Sequence, residues 1–122
     1  MFNEVTLVGR LTRDAEVSEI HNAQKTPVVR FTLAVDRDYQ VGGKTPTDFW
    51  PVTAAGEWAT KRAPQLTRGR LVLVAGSVHL DSRKDEEGTY HTYPFVTCRQ
   101  LRLLGKPRGS GGPQREPGED EE

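Results

Sequence analysis

Apolar and polar residues alternate along most of the first hundred positions, with the period of two that marks a strand lying over a core. In "PVVRFTLAVDRDY", Val29, Phe31, Leu33 and Val35 fall on one face, with Arg30, Thr32, Ala34 and Asp36 on the other. "EVTLVGRLTRD" puts Val5, Leu7 and Leu11 on one side, with Gly9 between them and Thr6, Val8, Arg10 and Thr12 opposite. "RLVLVAGSVHL" is apolar on both faces: Leu71, Leu73 and Ala75, then Val72, Val74 and Val78. Such a strand is expected to be covered twice, by a core and by another subunit. "VGGKTPTD" and "DEEGT" carry turn chemistry. "YHTYPFVTCRQLRLL" reads as the last strand, with Pro94 suggesting an edge or a bulge.

One stretch breaks the alternation. In "GEWATKRAPQLTRG", Trp58, Ala59, Ala63 and Leu66 share a helical face. Pro64 limits this helix to a short or kinked one, and Gly69 is placed as its C-terminal cap. The order is three strands, a short helix, then two strands. That order predicts an all-β domain: a five-stranded Greek-key barrel of the OB type, with one helix between strands three and four. Closure would also remove the exposed edges of five short strands.

The third strand, "DFWPVTAAG", sets two large aromatics side by side, so they face opposite ways. Trp50, Val52 and Ala54 form the apolar set, placing Trp50 in the core or a subunit contact. Phe49 shares its face with Pro51, Thr53 and Ala55 and follows Asp48, so its ring is expected to be exposed. A ring near bases such as Arg30 and Arg37 suits unpaired nucleobases, which stack on aromatic faces while Lys and Arg track phosphates. Tyr39 is a second such ring. A bland reading stands beside this one: Phe49 packs under a loop and Tyr39 is an ordinary amphipathic tip.

Composition refines the picture. Formal net charge is zero, from 17 basic and 17 acidic residues in 122. The balance is uneven: residues 1–105 carry 14 bases and 12 acids, and residues 106–122 carry three bases and five acids. A mildly basic body with an acidic end hints at a polyanion partner. The end, "GKPRGSGGPQREPGEDEE", is rich in Gly, Pro and charge and is expected to be disordered. Residues 1–104 then form the folded domain and 105–122 a tail. No apolar run approaches the ~20 residues of a membrane span, and the start lacks the pattern of a secretory signal. With Cys98 as the single cysteine, a reducing cytoplasm is the expected compartment.

"LVGRLTRDAEV", "FTLAVDRDY", "TDFWPVTAAGEWA" and "TRGRLVLVAG" occur here in the order and spacing of bacterial single-stranded DNA-binding proteins. Residues 1–104 resemble that family. The resemblance implies an OB barrel, usually a homotetramer, that coats single-stranded DNA without sequence choice in replication, recombination and repair. It implies no catalysis, metal or cofactor, and a place in the cytoplasm in association with the nucleoid. By position, Tyr39 and Phe49 match stacking aromatics, Arg68 matches a basic residue near the DNA path, and Arg30 and Thr32 lie on the groove-lining face. Arg10, Arg37, Arg83 and Lys84 complete the expected nucleic-acid contacts. Trp50, Val8, Val72 and Val74 are assigned to the core or a subunit interface, with a tetramer favoured and a dimer possible.

Some positions depart from the family. Ala55 and Arg83, followed by Lys84, stand where further aromatics are common, and Pro51 and Asp81 stand where bases are common. Weaker or shorter-footprint binding is therefore expected. The tail ends "PGEDEE" without the aromatic tip that recruits replication and repair proteins, although its acids could still compete with DNA for a basic groove. His21, His79 and His91 are scattered, with no metal spacing. No nucleophile signature or phosphate loop is present, so an enzyme is not expected. The competing function is an OB-fold adaptor that binds replication-restart proteins, with DNA binding incidental.

Overall fold

Alternation becomes sheet over most of the chain. The computed structural model describes residues 1–19 and 24–107. His21 and the acidic end of the tail lie outside the described residues. In chain order the elements are β1 (Val5–Leu11), β2 (Glu16–Glu19), β3 (Pro27–Asp36), β4 (Thr47–Ala55), α1 (Glu57–Arg62), a 3₁₀ turn (Ala63–Gln65), β5 (Leu71–Lys84) and β6 (Tyr90–Gly105). The strands lie in the order β1-β5-β6-β4-β3-β2, and a β1–β3 pairing closes the sheet on itself. This is the OB barrel that the strand–helix order predicts.

Two half-sheets meet in this closure. One is β1-β5-β6 and the other β4-β3-β2, each antiparallel throughout. They join along two short seams. At the first, Arg10 and Leu11 of β1 face Ala34 and Leu33 of β3. At the second, Val52 and Thr53 of β4 run parallel to Val96 and Thr97 of β6.

The expected inward faces are the inward faces. Leu11, Val29, Phe31, Leu33, Val52, Ala54, Val72, Val74, Val96 and Leu101 are buried in one cluster, and Trp50 packs half-buried against it. A buried Val, Leu or Phe side chain contributes about 1.5–3 kcal/mol relative to exposure. Truncating Leu33, which is fully buried, would therefore cost about 2–5 kcal/mol. Val72 and Val74 belong to this core, whereas Val8 points outward and is exposed. Cys98 is also inside, and burial pushes its thiol up to about 11.

The structure amends the sequence reading in three places. β2 is a sixth strand, paired with Pro27–Arg30 of β3. All four of its residues are exposed and it carries one apolar side chain, so it leaves no alternation to detect. The helix ends at Arg62, and Ala63 caps it in right-handed geometry. Gly69, at φ 82°, instead forms the turn into β5, where its N–H donates to the Leu11 carbonyl at 2.8 Å. Finally, Ala59 and Leu66 are buried as expected, but Trp58 on the same helix is exposed.

β5 and β6 run past the barrel as a two-stranded ribbon. Leu80 faces Pro94 and Lys84 faces Tyr90, beyond the last pairing of β6 with β4. Pro94 is tolerated here because the ribbon edge needs no further donor. Among the described residues, no helix is long and apolar enough to cross a membrane.

Candidate nucleic-acid interface

Pairing between β3 and β4 fixes the composition of one outer surface. Arg30 faces Thr53, Thr32 faces Pro51, and Ala34 faces Phe49. Every second residue of a strand points outward, so these six side chains form three cross-strand rows. Phe49 is 64% exposed. Its neighbour Ala34 is too small to cover the ring, and Arg10 of β1 faces Ala34 from the other side. Lower on the same surface, Arg13, Asp14, Glu16, Arg30, Thr32 and Thr53 line an open groove of about 210 Å³. It is a trough of mixed charge, and Phe31, Pro51 and Val52 complete its lining.

Partners already hold several of the cations. Arg30 Nη1 donates to Ser18 Oγ at 2.9 Å, which ties the guanidinium to β2. Arg10 is half-buried and donates to the carbonyls of Gly69 (2.8 Å) and Lys106 (3.4 Å). Arg68 is exposed, and its backbone N–H is anchored to Asp14 Oδ1 at 2.9 Å.

At the rim where β3 and β4 meet their loop, Arg37 forms a two-pronged pair with Asp48. Nε lies 2.9 Å from Oδ2 and Nη2 lies 2.8 Å from Oδ1. The third nitrogen, Nη1, donates to the Tyr39 hydroxyl, and the guanidinium also sits 5.8 Å from the centre of that ring. The Arg37 bond holds the Asp48 carboxyl below its ordinary range, and the Asp48 bond raises Arg37 further. Tyr39 remains 49% exposed, so its ring is fixed by Arg37 without being covered.

The ribbon carries the remaining expected residues. Arg83 Nε lies 3.0 Å from Asp81 Oδ2, and the Lys84 ammonium sits 5.8 Å from the centre of the Tyr90 ring. The tip is built on Asp85, which accepts the N–H groups of Glu87 (2.9 Å) and Thr89 (2.8 Å) and pairs with His91 Nε2 at 2.7 Å. That His91 bond is the largest cause of the lowered Asp85 pKa.

Sequence reasoning missed two exposed rings here. Tyr90 and Tyr93 are both exposed, Tyr90 at 69%. Their signal was the run "YHTYPF", which contains no acid and lies beyond the length of strand a small barrel needs. The structure thus brings Phe49, Thr32, Arg30 and Arg10 onto one surface, Tyr39 and Arg37 onto its rim, and Arg83 and Lys84 onto a separate ribbon. Among the described residues, no three His, Cys, Asp or Glu side chains gather as metal ligands.

A closed barrel with exposed rings and arginines on one outer face defines an OB-fold binding module rather than a barrel with an internal pocket. Comparison with known proteins gives the family. The model of the single-strand binding protein family matches residues 2–104, and the chain belongs to that family. A single-stranded DNA-binding protein of Caldanaerobacter subterraneus subsp. tengcongensis is 37% identical, over 100% of this chain and 80% of the relative. Single-stranded DNA-binding protein B of Bacillus subtilis is 35% identical, over 88% of this chain and 96% of the relative. Among solved structures, the Plasmodium falciparum SSB complex with ssDNA superposes with a TM-score of 0.73. It covers 85% of this chain and 96% of its own at 19% identity, a likeness of fold.

Proposed function

We propose that this protein binds and protects single-stranded DNA without sequence choice, in replication, recombination and repair. It acts as a binding protein and not as a catalyst. The observation that carries this reading is the exposed ring of Phe49 on the β3–β4 surface, in a member of the single-strand binding protein family. Bases stack on Phe49 and Tyr39, and on the ribbon rings Tyr90 and Tyr93. Arg30, Arg68, Lys84 and Arg83, whose Asp81 pair occupies only Nε, take phosphates, with Thr32 on the groove wall. Arg10 and Arg37 position the surface more than they contact DNA, because backbone carbonyls and Asp48 already hold their guanidinium groups. The adaptor reading is not favoured, since the curated relatives are named for single-stranded DNA binding.

The outward Val8 and the half-buried outer residues Leu71 and Leu73 support a homo-oligomer, with a tetramer favoured. β6 runs to Gly105, which pairs with Leu71, so the acidic tail is proposed to begin at Lys106 and not at residue 105. Oligo(dT) titration followed by tryptophan emission, at several salt concentrations and against duplex DNA, tests the function. The expected result is tight binding to oligo(dT), weakening as salt rises, and much weaker binding to duplex. Equal affinity for duplex, or no binding to oligo(dT), would overturn it.

A further inference from the structure

A second cleft lies at the other end of the barrel wall, between α1 and the C-terminal half of β6. Gly56 leaves β4 at φ 110°, a conformation that glycine adopts freely. A side chain there would press on the indole of Trp58, with a Cβ only 3.2 Å from Cδ1 and 3.4 Å from Nε1. With no Cβ in the way, the indole lies along the Gly56 backbone and stays 38% exposed.

Across from it, β6 bulges. Cys98 faces Gly76 and Gln100 faces Ala75, so Arg99 is an extra residue without a partner on β5. Such a bulge re-aims the side chain it carries. Arg99 and Arg102 of β6, with Arg62 from the last turn of α1, line a cleft of about 220 Å³ together with Trp58.

Charge in this cleft is unbalanced. The side chains of Arg62 and Arg102 make no hydrogen bond or ion pair with a described residue, and that of Arg99 reaches only Glu4, at 3.9 Å. Elsewhere, Arg37 and Arg83 sit within 3.0 Å of a carboxylate. Guanidinium groups with no carboxylate are matched to phosphate, and the indole beside them offers a flat face to a base. The acidic segment 116–122 has no aromatic side chain, and Pro117 is its one apolar ring. The outer surface is also continuous. Arg30 faces Thr53, Thr53 faces Thr97 across the parallel seam, and β6 then leads to Gln100 and Arg102.

We propose that this cleft is a second contact for the same single strand, with Trp58 stacking a base and Arg62, Arg99 and Arg102 holding phosphates. The proposal rests on the single-strand-binding reading above. The test uses the full chain, Trp58→Phe, and the double variant Arg62→Gln/Arg102→Gln. Each is titrated with a short oligo(dT) that fills only the β3–β4 groove and with a long one that reaches past the seam. The long oligomer is expected to quench tryptophan emission in the unaltered protein and far less in Trp58→Phe. The double variant should flatten the salt slope by about 1.4 for the long oligomer, or about sevenfold in affinity between 50 and 200 mM salt. Its slope for the short oligomer should not change.

Unchanged slope and quenching in a protein that still binds both oligomers would overturn this inference and leave the function standing. No binding by the unaltered protein would overturn both. Quenching by a peptide of residues 113–122, but not by oligo(dT), would assign the cleft to an acidic chain and overturn the inference.

Discussion

Truncating Phe49 separates a binding ring from a packing one. The side chain is roughly two-thirds in solvent, and its cross-strand neighbour is only Ala34. An aromatic side chain buries about 200 Å² when fully covered, so Phe49→Ala gives up about 70 Å². At about 25 cal/mol per Å² that is an upper bound of about 1.7 kcal/mol of stability. Phe31, in the core at 5% exposure, is the contrast: Phe31→Ala should cost about 3–5 kcal/mol. Binding should show the reverse order. Loss of one stacked base is worth about 1–3 kcal/mol, or about a 5- to 140-fold rise in Kd for oligo(dT). The assay pairs an oligo(dT) titration with a denaturant melt on each variant. A Phe49→Ala protein that binds within twofold of the original would refute the stacking role.

Three further outcomes follow from the contacts. Asp48→Asn removes the carboxylate that occupies Arg37 and should free it for phosphate, steepening the salt slope by about 0.7; an unchanged or shallower slope in the oligo(dT) titration would count against this. Gly76→Ala should destabilise the barrel by about 3 kcal/mol or more in a denaturant melt. The new methyl would run into the Thr97 carbonyl, with Cys98 Cα 3.1 Å away, and backbone atoms cannot swing aside. Asp85 has a folded pKa below its ordinary 3.8, so its contribution to the ribbon tip is fully present above that value. The contribution is lost as pH falls through the lowered value, so the Glu87 and Thr89 amide shifts should titrate with a midpoint under 3.8. A midpoint at or above 3.8 would contradict the geometry.

The barrel was legible where burial was one-sided. β3 writes its register in Val29, Phe31, Leu33 and Val35, and opposite facing of Phe49 and Trp50 follows from strand geometry alone. β2 was not legible, because an edge strand with both faces wet has no reason to alternate. Trp58 misled for a related reason. Its spacing fits the buried helical face, but Gly56 gives the indole a backbone surface to lie on instead. Gly69 looked like a helix cap, yet its left-handed backbone serves the turn into β5. At the interface, residue types were readable and partners were not. Nothing local shows that Arg37 closes on Asp48 eleven positions away, or that Arg10 turns to the carbonyls of Gly69 and Lys106.

The pairing of β1 with β5 also sets the order of events at the ribosome. β1 is made first, but most of its partners lie on a strand that begins sixty residues later. At roughly 5–20 residues per second, that is a delay of about 3–12 s. During this interval Val5, Leu7 and Val8 have no strand beside them, because β3 offers places only to Arg10 and Leu11. Barrel closure is therefore a late, long-range event, and nascent β1 is the segment most open to wrong partners until β5 arrives.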